Sequence, residues 1–279
     1  MRPRALRTMK VFISESSNPY ANAAVEEGFY KSDCGETILF FYVNSPAVVF
    51  GRSQNPWMEA DISWCEENGI GILRRFSGGG TVVHDEGNLN YSFFVPREGY
   101  DPDALVGIVK DALCSLGVEA RISGQRSIYA GDYKLSGSAF AVNSRTAMAH
   151  GCILVNSDLR RLSRALHIRE DCEFITSTVP SVRAPVKNIT DFVPGVLISD
   201  VCSAIMLQAE IDDYPQPPPA PAPEAMAQFQ SFQWTYGRTP DFTFRQGATE
   251  IQVHQGIIKA PESLQGLRFE MPAAKTAAF

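Results

Sequence analysis

Residues 73–92 read LRRFSGGGTVVHDEGNLNYS, and this stretch is the most informative part of the chain. Three consecutive glycines at 78–80 leave main chain that a ligand can approach closely, because no Cβ stands in the way. Two arginines precede the glycines, and the β-branched residues 81–83 after them predict a short strand ending at His84. We therefore expect an open, positively charged turn that leads into a strand.

The second half of the stretch alternates in polarity. Asn88, Asn90 and Ser92 alternate with Leu89 and Tyr91, and a strand of this pattern has one apolar face and one hydrogen-bonding face. Arginines, bare glycine main chain and a polar strand face together predict a pocket for a ligand that has an anionic group and an uncharged body.

Composition excludes several classes of protein. The chain has 279 residues, of which 44% are hydrophobic and 20% charged, as in an ordinary globular protein. The formal net charge of −6 argues against a surface that coats nucleic acid, and no apolar run reaches the roughly 18–20 residues of a membrane span. The six cysteines lack the paired spacing of a disulfide framework or a zinc site. We expect no metal ligands, no secretory signal and a cytoplasmic location.

Hydrophobic periodicity predicts a mixture of helices and strands. The clearest helix runs from Pro102 to Leu116, with Asp101 as its cap and Gly117 at its end. Further helices are predicted from residue 18 and over 61–68, 158–166 and 198–209, and strands over 37–43, 47–50, 71–75, 89–95, 134–141 and 152–155. Because the two types do not alternate regularly, the pattern favours an α+β fold over a doubly wound one.

A proline-rich segment divides the chain into two parts. Residues 213–227 contain the run PQPPPAPAP, which favours polyproline II and predicts a semi-rigid linker. Before it we expect an N-terminal extension over 1–9, since Met9 offers an alternative start, and one large domain over 10–212. After it, residues 228–279 are too few to support a core of their own and should lean on the larger domain.

A second group of motifs carries a family resemblance. Residues 131–139 read GDYKLSGSA, and HGCIL follows at 150–154. Together with the arginine–glycine stretch, and with NAAVEE at 22–27, GRSQNPW at 51–57 and SVR at 181–183, they resemble the ordered motifs of the lipoate–protein ligase A family. The resemblance implies the biotin/lipoate ligase catalytic fold, a mixed sheet with packed helices like that of class II synthetases, plus a truncated C-terminal accessory region at 228–279.

The resemblance also implies an activity. Members of this family activate lipoate with ATP, giving lipoyl-AMP, and then transfer the lipoyl group to a lysine of a carrier domain. ATP, Mg²⁺ and lipoate are therefore the expected ligands. Because an acyl-adenylate is a mixed anhydride, the site must hold negative phosphate and exclude water.

Site residues follow from the resemblance by position. Lys134 is the implied catalytic residue, because its ammonium would bridge the lipoyl carbonyl and the α-phosphate. The residues implied to bind ATP and its phosphates are Arg75, Gly80, Thr81, Val82, Val83 and Lys134. The residues implied to bind lipoate are Gly78, Gly79, His84, Asn90, Lys134, Gly137, Ser138 and His150. For the two histidines, a hydrogen-bonded buried imidazole is the competing interpretation.

The sequence departs from the family pattern ahead of Lys134. Family ligases commonly carry an Asn-Asp pair after a glycine, whereas Gly124 is followed here by Gln125, Arg126 and Ser127. Because a carboxylate that could help to hold Mg²⁺ is missing, we expect a weakened metal requirement. Arg126 is a candidate for direct contact with the phosphates.

Two alternative functions stay open on the sequence. The same fold hosts octanoyl- and lipoyl-transferases, which take a carrier-bound acyl group and use a cysteine nucleophile; Cys172 is the candidate for that role. Its acidic neighbours Glu170, Asp171 and Glu173 would raise the pKa of the thiol and oppose it. The other alternative is a non-catalytic relative that has kept the ligand pocket.

The partners are implied by the resemblance alone. They are the lipoyl carrier domains of 2-oxoacid dehydrogenase complexes or the H-type protein of glycine cleavage. We expect a monomer that binds neither nucleic acid nor membrane.

Overall fold

The structure is a computed structural model, and it describes residues 9–32 and 35–272. Residues 1–8 of the predicted N-terminal extension lie outside this range. Met9 is not part of an extension, because it begins the first strand and lies opposite Thr37 of the second.

Strands and helices follow one another without regular alternation. The strands are β1 (Met9–Ile13), β2 (Thr37–Tyr42), β3 (Ala47–Phe50), β4 (Gly71–Arg74), β5 (Val82–His84), β6 (Asn88–Pro96), β7 (Ala120–Ser123), β8 (Ser127–Ala130), β9 (Tyr133–Val142), β10 (Thr146–Leu154), β11 (Glu173–Thr176), β12 (Phe242–Gln246), β13 (Thr249–His254) and β14 (Ile257–Ala260). The helices are α1 (Pro19–Lys31), α2 (Pro56–Glu59), α3 (Ile62–Glu67), α4 (Pro102–Ser115), α5 (Leu159–Ala165), α6 (Ile198–Gln208), α7 (Pro223–Gln230) and α8 (Phe232–Thr235). Within the described ranges, no helix is long and apolar enough to cross a membrane.

The strands form three sheets. The large one has seven strands in the order β1-β2-β6-β10-β9-β8-β7, with β1 and β2 parallel and the other pairs antiparallel. A three-stranded sheet, β4-β3-β5, carries the glycine stretch, and a four-stranded sheet, β11-β12-β13-β14, lies towards the C-terminus. This arrangement is the mixed α+β architecture that the sequence predicts.

One face of the large sheet packs against the apolar core, and we call it the core face. Leu89, Tyr91 and Phe93 of β6 point to this face and pack in one cluster with buried side chains of α4 and α6. The helix α4 begins where the sequence predicts, because Asp101 accepts hydrogen bonds from the main-chain N–H groups of Asp103 and Ala104 at 3.0 and 3.1 Å. It ends one residue before the predicted Leu116.

The opposite face of the large sheet is polar over part of its area. Asn90 and Ser92 of β6 lie opposite Cys152 and His150 of β10, and residues directly opposite in an antiparallel pair share a face. We call the surface defined by Asn90, Ser92, His150 and Cys152 the pocket face. The helix α1 covers a neighbouring part of it, where Phe29 packs in an apolar cluster.

A β-bulge in β9 decides where Lys134 points. Ile128 of β8 lies opposite Ser136, whereas the next residue, Tyr129, lies opposite Lys134, so β9 contains one extra residue, Leu135. Leu135 and Ile128 are both buried in the core beneath α4 and α6. Because side chains alternate along a strand, the extra residue moves Lys134 to the pocket face, where regular alternation would have left it on the core face with Ser136.

The predicted proline-rich linker makes regular contacts with the rest of the chain. The N–H of Gln216 donates to the carbonyl of Val11, and its carbonyl accepts from the N–H of Ile13, both at 3.0 Å, so this segment extends the sheet beside β1. The helix α7 begins at Pro223, inside the range 213–227, and packs against α1. Proline at the first helical position is compatible with a helix, since its missing N–H has no intrahelical partner there.

The last fifty residues pack on the larger part of the chain. The strand β12 pairs with β11, and β13 pairs with β12 and β14. Trp57 stacks on Tyr236 and meets Phe269 edge-on, each with ring centroids 5.1 Å apart. A shared apolar cluster therefore joins α2 to the C-terminal strands.

Arg74 fastens the C-terminal part to the main chain near the glycine stretch. Its side chain is 0% exposed. Its guanidinium donates at 2.7–3.2 Å to the carbonyls of Gly51, Arg52, Gln54 and Thr235 and to the hydroxyl of Thr239. Burial lowers the pKa of Arg74 to about 10, so the group stays charged at neutral pH and is held by neutral acceptors.

Arg74→Lys should destabilise the fold although it keeps the charge. A lysine has three donors on one nitrogen and cannot reach acceptors on both sides as the planar guanidinium does. Because buried carbonyls would lose their donors, we expect the free energy of unfolding in urea to fall by about 3 kcal/mol. The control is Arg121→Lys, whose side chain is exposed; a loss below about 1 kcal/mol for Arg74→Lys would contradict the assigned role.

Candidate functional site

Arg75 lies behind the glycine loop, which we define as residues 78–80. Its side chain is buried. Nε donates to the Ser77 Oγ at 3.0 Å, Nη2 donates to the carbonyls of Gly78 and Gly80 at 2.7 Å each, and Nη1 donates to the carbonyl of Val49 at 3.2 Å. Burial lowers the pKa of Arg75 to about 10, which still leaves a full positive charge at neutral pH.

These hydrogen bonds set the direction of the loop's main chain. The C=O and N–H groups of one trans peptide point in opposite directions. Because the carbonyls of Gly78 and Gly80 face Arg75, the N–H groups of Gly79 and Thr81 point away from it. Gly79 has φ +91°, a left-handed conformation that side chains rarely adopt. N–H donors in front and a buried cation behind favour an anion at this loop.

The geometry changes the role predicted for Arg75. The family motif predicts direct contact of Arg75 with phosphate, but its donors are turned to main-chain carbonyls and to the Ser77 hydroxyl. The physical reason is that glycines provide no side chains to satisfy these carbonyls, so the nearest buried donor does so. Arg75 therefore holds the main chain of the loop.

Ser181 occupies the open side of the loop. Its Oγ accepts from the N–H of Thr81 and from Nε2 of Gln54, both at 2.8 Å, and donates to Oε2 of Glu59 at 2.5 Å. The hydroxyl of Thr81 donates to Oε1 of Gln54 at 2.7 Å. The sequence analysis did not identify Gln54 or Glu59; the GRSQNPW segment was the only signal that could have drawn attention to Gln54.

Lys134 reaches the pocket face from β9. A Cβ built on Gly137 would lie 3.2 Å from the Lys134 Nζ, so the ammonium lies directly against the bare main chain of Gly137. The main chain of Lys134 is fixed by its N–H, which donates to the carbonyl of Pro185 at 2.8 Å. Cys152 lies opposite Gly137; burial raises the pKa of its thiol, and the nearby Lys134 ammonium only partly offsets this.

The glycine loop and Lys134 meet on the same face. A Cβ built on Gly79 would lie 3.4 Å from the Cβ of Ala139. Ala139 lies opposite His150 on the pocket face, two residues beyond Gly137 along β9. Two residues of strand span about 7 Å. One ligand can therefore contact both the ammonium and the loop.

A hydrogen-bonded chain of Ser77, His150 and Glu26 lies beneath the loop. His150 Nε2 is 2.7 Å from the Ser77 Oγ, and His150 Nδ1 is 2.8 Å from Glu26 Oε1. The same Glu26 oxygen accepts from Ser92 at 2.5 Å and from Tyr42 at 3.2 Å. Burial would raise the pKa of Glu26, but the His150 charge and these hydrogen bonds outweigh burial and lower it. His150 is thus a hydrogen-bonded imidazole, with Glu26 as a partner that the sequence analysis did not assign.

His84 and Asn90 belong to neighbouring polar groups. The Nδ1 of His84 accepts from Nδ2 of Asn44 at 3.0 Å, and Oδ1 of Asn44 accepts from Asn22 at 2.8 Å. Asn90 accepts from Asn88 at 3.0 Å and donates to the carbonyl of Tyr42 at 3.3 Å. These side chains are buried and form the floor of the pocket face.

Ser138, Val82 and Val83 are expected to line a ligand with their main chain, and in the structure their side chains point elsewhere. The side chain of Ser138 points to the core face, where its hydroxyl lies 3.2 Å from the Tyr91 hydroxyl, so it does not face the ligand. The side chains of Val83 and Val82 pack in two separate apolar clusters. Since β5 is the edge strand of its three-stranded sheet, these valines offer a ligand their main chain rather than their side chains.

Cys172 and Arg126 lie away from Lys134. Cys172 packs beside the apolar cluster of the C-terminal strands, where burial raises the pKa of its thiol. Arg126 has φ +61° in the turn between β7 and β8, and its guanidinium donates to both carboxylate oxygens of Asp103 at 2.7 and 3.0 Å. Arg126 therefore binds the start of α4 on the core side, and its predicted contact with phosphate is wrong. Among residues 9–32 and 35–272, no three His, Cys, Asp or Glu side chains form a group that could hold a metal.

Comparison with known proteins points to one family. A family profile described as "Lipoyl protein ligase A/B catalytic domain" matches residues 18–210. A Schizosaccharomyces pombe protein, named as a candidate lipoate-protein ligase A, is 33% identical over 95% of this chain and 81% of its own length. The resemblance read from the motifs is confirmed.

Solved structures agree with this match. A lipoate-protein ligase A bound with ATP has a TM-score of 0.70 at 26% identity, covering 82% of this chain and 98% of that one. A candidate lipoate protein ligase of Thermoplasma acidophilum with bound lipoic acid has a TM-score of 0.68 at 26% identity, covering 82% and 99%. A bipartite lipoate protein ligase and its E2 lipoyl domain from Thermoplasma acidophilum has a TM-score of 0.66 at 25% identity, covering 81% and 96%. The predicted fold is confirmed.

Acid should destabilise the protein through His84. Burial, and then the nearby Arg75 charge, lowers the pKa of His84 from 6.5 to about 3. The unfolded chain therefore binds one more proton than the folded protein between these values, and stability falls as the pH falls. Between pH 7 and 5 we expect a loss of about 2 kcal/mol in the free energy of unfolding, which His84→Gln should abolish.

Urea titrations at several pH values measure this loss. Glutamine is the suitable replacement because its amide oxygen can still accept from Asn44 and does not titrate. The control is His167→Gln on the exposed surface, whose pH profile should overlay that of the wild type. Equal slopes for wild type and His84→Gln between pH 7 and 5 would refute the assignment.

Proposed function

The chain belongs to the lipoyl protein ligase A/B catalytic domain family, and from this we propose that it is an ATP-dependent lipoate–protein ligase. In the first step, a carboxylate oxygen of lipoate attacks the α-phosphorus of ATP and pyrophosphate leaves. In the second step, the amine of a carrier lysine attacks the carbonyl carbon of lipoyl-AMP, AMP leaves, and the new amide nitrogen loses a proton. In the transition states of both steps, negative charge develops on oxygen atoms.

One observation carries the proposal: Lys134 and the glycine loop share one face within the length of an acyl-phosphate group. A fixed ammonium close to a carbonyl and a phosphate stabilises the charge that develops on both. The bulge in β9 aims Lys134 and Gly137 gives it space. We assign Lys134 as the catalytic residue for adenylation and for transfer.

The loop has the complementary role of holding phosphate. The N–H groups of Gly79 and Thr81 are the donors, and the buried Arg75 charge behind them strengthens their attraction for an anion. Ser181 currently accepts from Thr81, so a phosphate oxygen would take over a donor that already has a hydroxyl partner. Gly80, Val82 and Val83 would contribute main-chain groups along the free edge of β5.

The acyl body would lie over the pocket face. Gly78, Gly79 and Gly137 leave space for it, and the buried groups His84, Asn90 and His150 form the floor below. Mg²⁺ would enter with ATP and neutralise phosphate charge, because the carboxylates near the loop are too few to hold it alone. The weakened metal requirement expected from the missing Asn-Asp pair stays a prediction.

The alternative transferase function has little support from the geometry. A cysteine nucleophile needs a lowered pKa and a position beside the acyl carbonyl. Burial instead raises the pKa of the Cys172 thiol, and its Sγ contacts the carbonyl of Arg169 at 3.7 Å. The other alternative, a non-catalytic relative that has kept the ligand pocket, is disfavoured by the position of the Lys134 side chain against Gly137 on the pocket face.

Carrier domains complete the proposal. A related archaeal ligase was solved with its E2 lipoyl domain, and we propose that this chain acts as a cytoplasmic monomer on lipoyl domains of 2-oxoacid dehydrogenase complexes or on an H-type protein of glycine cleavage. Its net charge of −6 disfavours a role on nucleic acid or at a membrane surface.

Lys134→Ala should fold normally and slow lipoyl transfer at least a hundredfold, because the ammonium acts on charge that appears in the transition states. Mass spectrometry of a lipoyl domain incubated with lipoate, ATP and protein measures the transfer. The matched control is Lys187→Ala, a lysine whose Nζ lies 4.3 Å from the centre of the neighbouring Tyr133 ring. Transfer by Lys134→Ala within tenfold of wild type would disprove the catalytic assignment.

Cys172→Ser should leave ligation of free lipoate unchanged within about twofold, since the thiol lies outside the site. A second assay offers an acyl-carrier thioester in place of lipoate and ATP. If wild type transfers the acyl group from the thioester and Cys172→Ser does not, the transferase function replaces the ligase function.

A further inference from the structure

We infer that a basic groove beside α5 is the docking surface for the acceptor domain and that it binds an acidic surface of that domain. This inference rests on the proposed function and names the chemistry of its protein partner. The groove has a volume of about 460 Å³ and is lined by Leu159, Arg160, Ser163, Arg164 and His167.

Among the described residues, the unpaired basic side chains at this groove are those of Arg160 and His167. Residues 159–169 contain four arginines and one histidine, and of these Arg161, Arg164 and Arg169 form ion pairs with carboxylates. Arg164 is held by Asp61 at 2.6 Å and lies over the Trp64 ring. Within the part of the chain that the structure describes, the exposed side chains of Arg160 and His167 have no hydrogen-bond or ion-pair partner. These two side chains are available to a partner.

The groove is continuous with the catalytic face. Arg183 borders it, because its Nη2 donates to the carbonyl of Leu166 at 2.5 Å. Two residues before Arg183, Ser181 bonds to the glycine loop, and two residues after it, Pro185 bonds to the main chain of Lys134. A domain seated in the groove would therefore lie against the segment that joins the two parts of the site.

The same segment adds apolar area. Val179 and Val182, which precede Arg183 in the chain, are 79% and 90% exposed. Exposed apolar side chains next to arginines are typical of protein–protein interfaces. An acidic protein surface fits both features, and attraction between opposite charges would raise the rate of encounter with the acceptor.

The docking inference is tested with the double variant Arg160→Glu/His167→Glu. Neither side chain has a partner in the fold, so stability should be preserved. With a purified E2 lipoyl domain at low ionic strength, we expect kcat/KM for that domain to fall about tenfold and its salt dependence to flatten, since fewer opposite charges remain to be screened. The matched control is Arg97→Glu at the far end of β6, which should leave kcat/KM unchanged.

Adenylation separates this inference from the proposed function. Lipoate-dependent exchange of labelled pyrophosphate into ATP requires no acceptor domain, and the double variant should retain it at the wild-type rate. A wild-type protein without exchange would refute the ligase function itself. Normal exchange together with an unchanged kcat/KM for the lipoyl domain would overturn the docking inference alone, and so would a raised KM for ATP in the variant.

Discussion

The site depends on a buried guanidinium whose hydrogen-bond acceptors, among the residues that the structure describes, are main-chain carbonyls and one hydroxyl. Arg75 donates to carbonyls of the glycine loop, and this fixes the loop with its N–H groups directed to the ligand. A buried cation whose hydrogen-bond acceptors are neutral adds positive potential at the loop, although the Glu26 carboxylate offsets part of it. The nucleotide phosphates would supply the missing negative charge. Loop geometry and anion affinity thus have the same cause.

The second requirement is that a lysine share this face, and a local irregularity provides it. Regular alternation along β9 would put Lys134 with Ser136 and Ser138, away from Gly137. The extra residue Leu135 separates them, so the lysine joins Gly137 while Ser138 stays on the core face. The family motif predicts that Lys134, Gly137 and Ser138 all contact the ligand, because motif similarity carries no information about which face of a strand a residue occupies. A bulge is set by pairing with β8, which no local pattern reveals.

The features that could be predicted from the sequence are those set by neighbouring residues and those implied by the family motifs. Hydrophobic periodicity located α4 to within one residue, since its spacing and its Asp101 cap lie within one segment. The Glu26–His150 bond joins residues 124 positions apart and had no local signature. The contacts of Arg75 were missed for a related reason: a buried arginine and a phosphate-binding arginine look alike beside glycines. The pairing of the C-terminal strands had no local signature either, because β12 pairs with β11, which lies before the proline-rich segment.

The hydrogen bonds that join Arg74 to the C-terminal part of the chain have a consequence for biosynthesis. Two of its acceptors belong to Thr235 and Thr239, and Trp234 donates to the Arg74 carbonyl at 2.7 Å. A nascent chain on the ribosome exposes the glycine loop about 155 residues, and Lys134 about 100 residues, before these partners emerge. Until then the Arg74 guanidinium lacks two of its hydrogen-bond acceptors. The main chain around residues 51–54 would thus reach its final hydrogen bonding only after residues 235–239 have emerged.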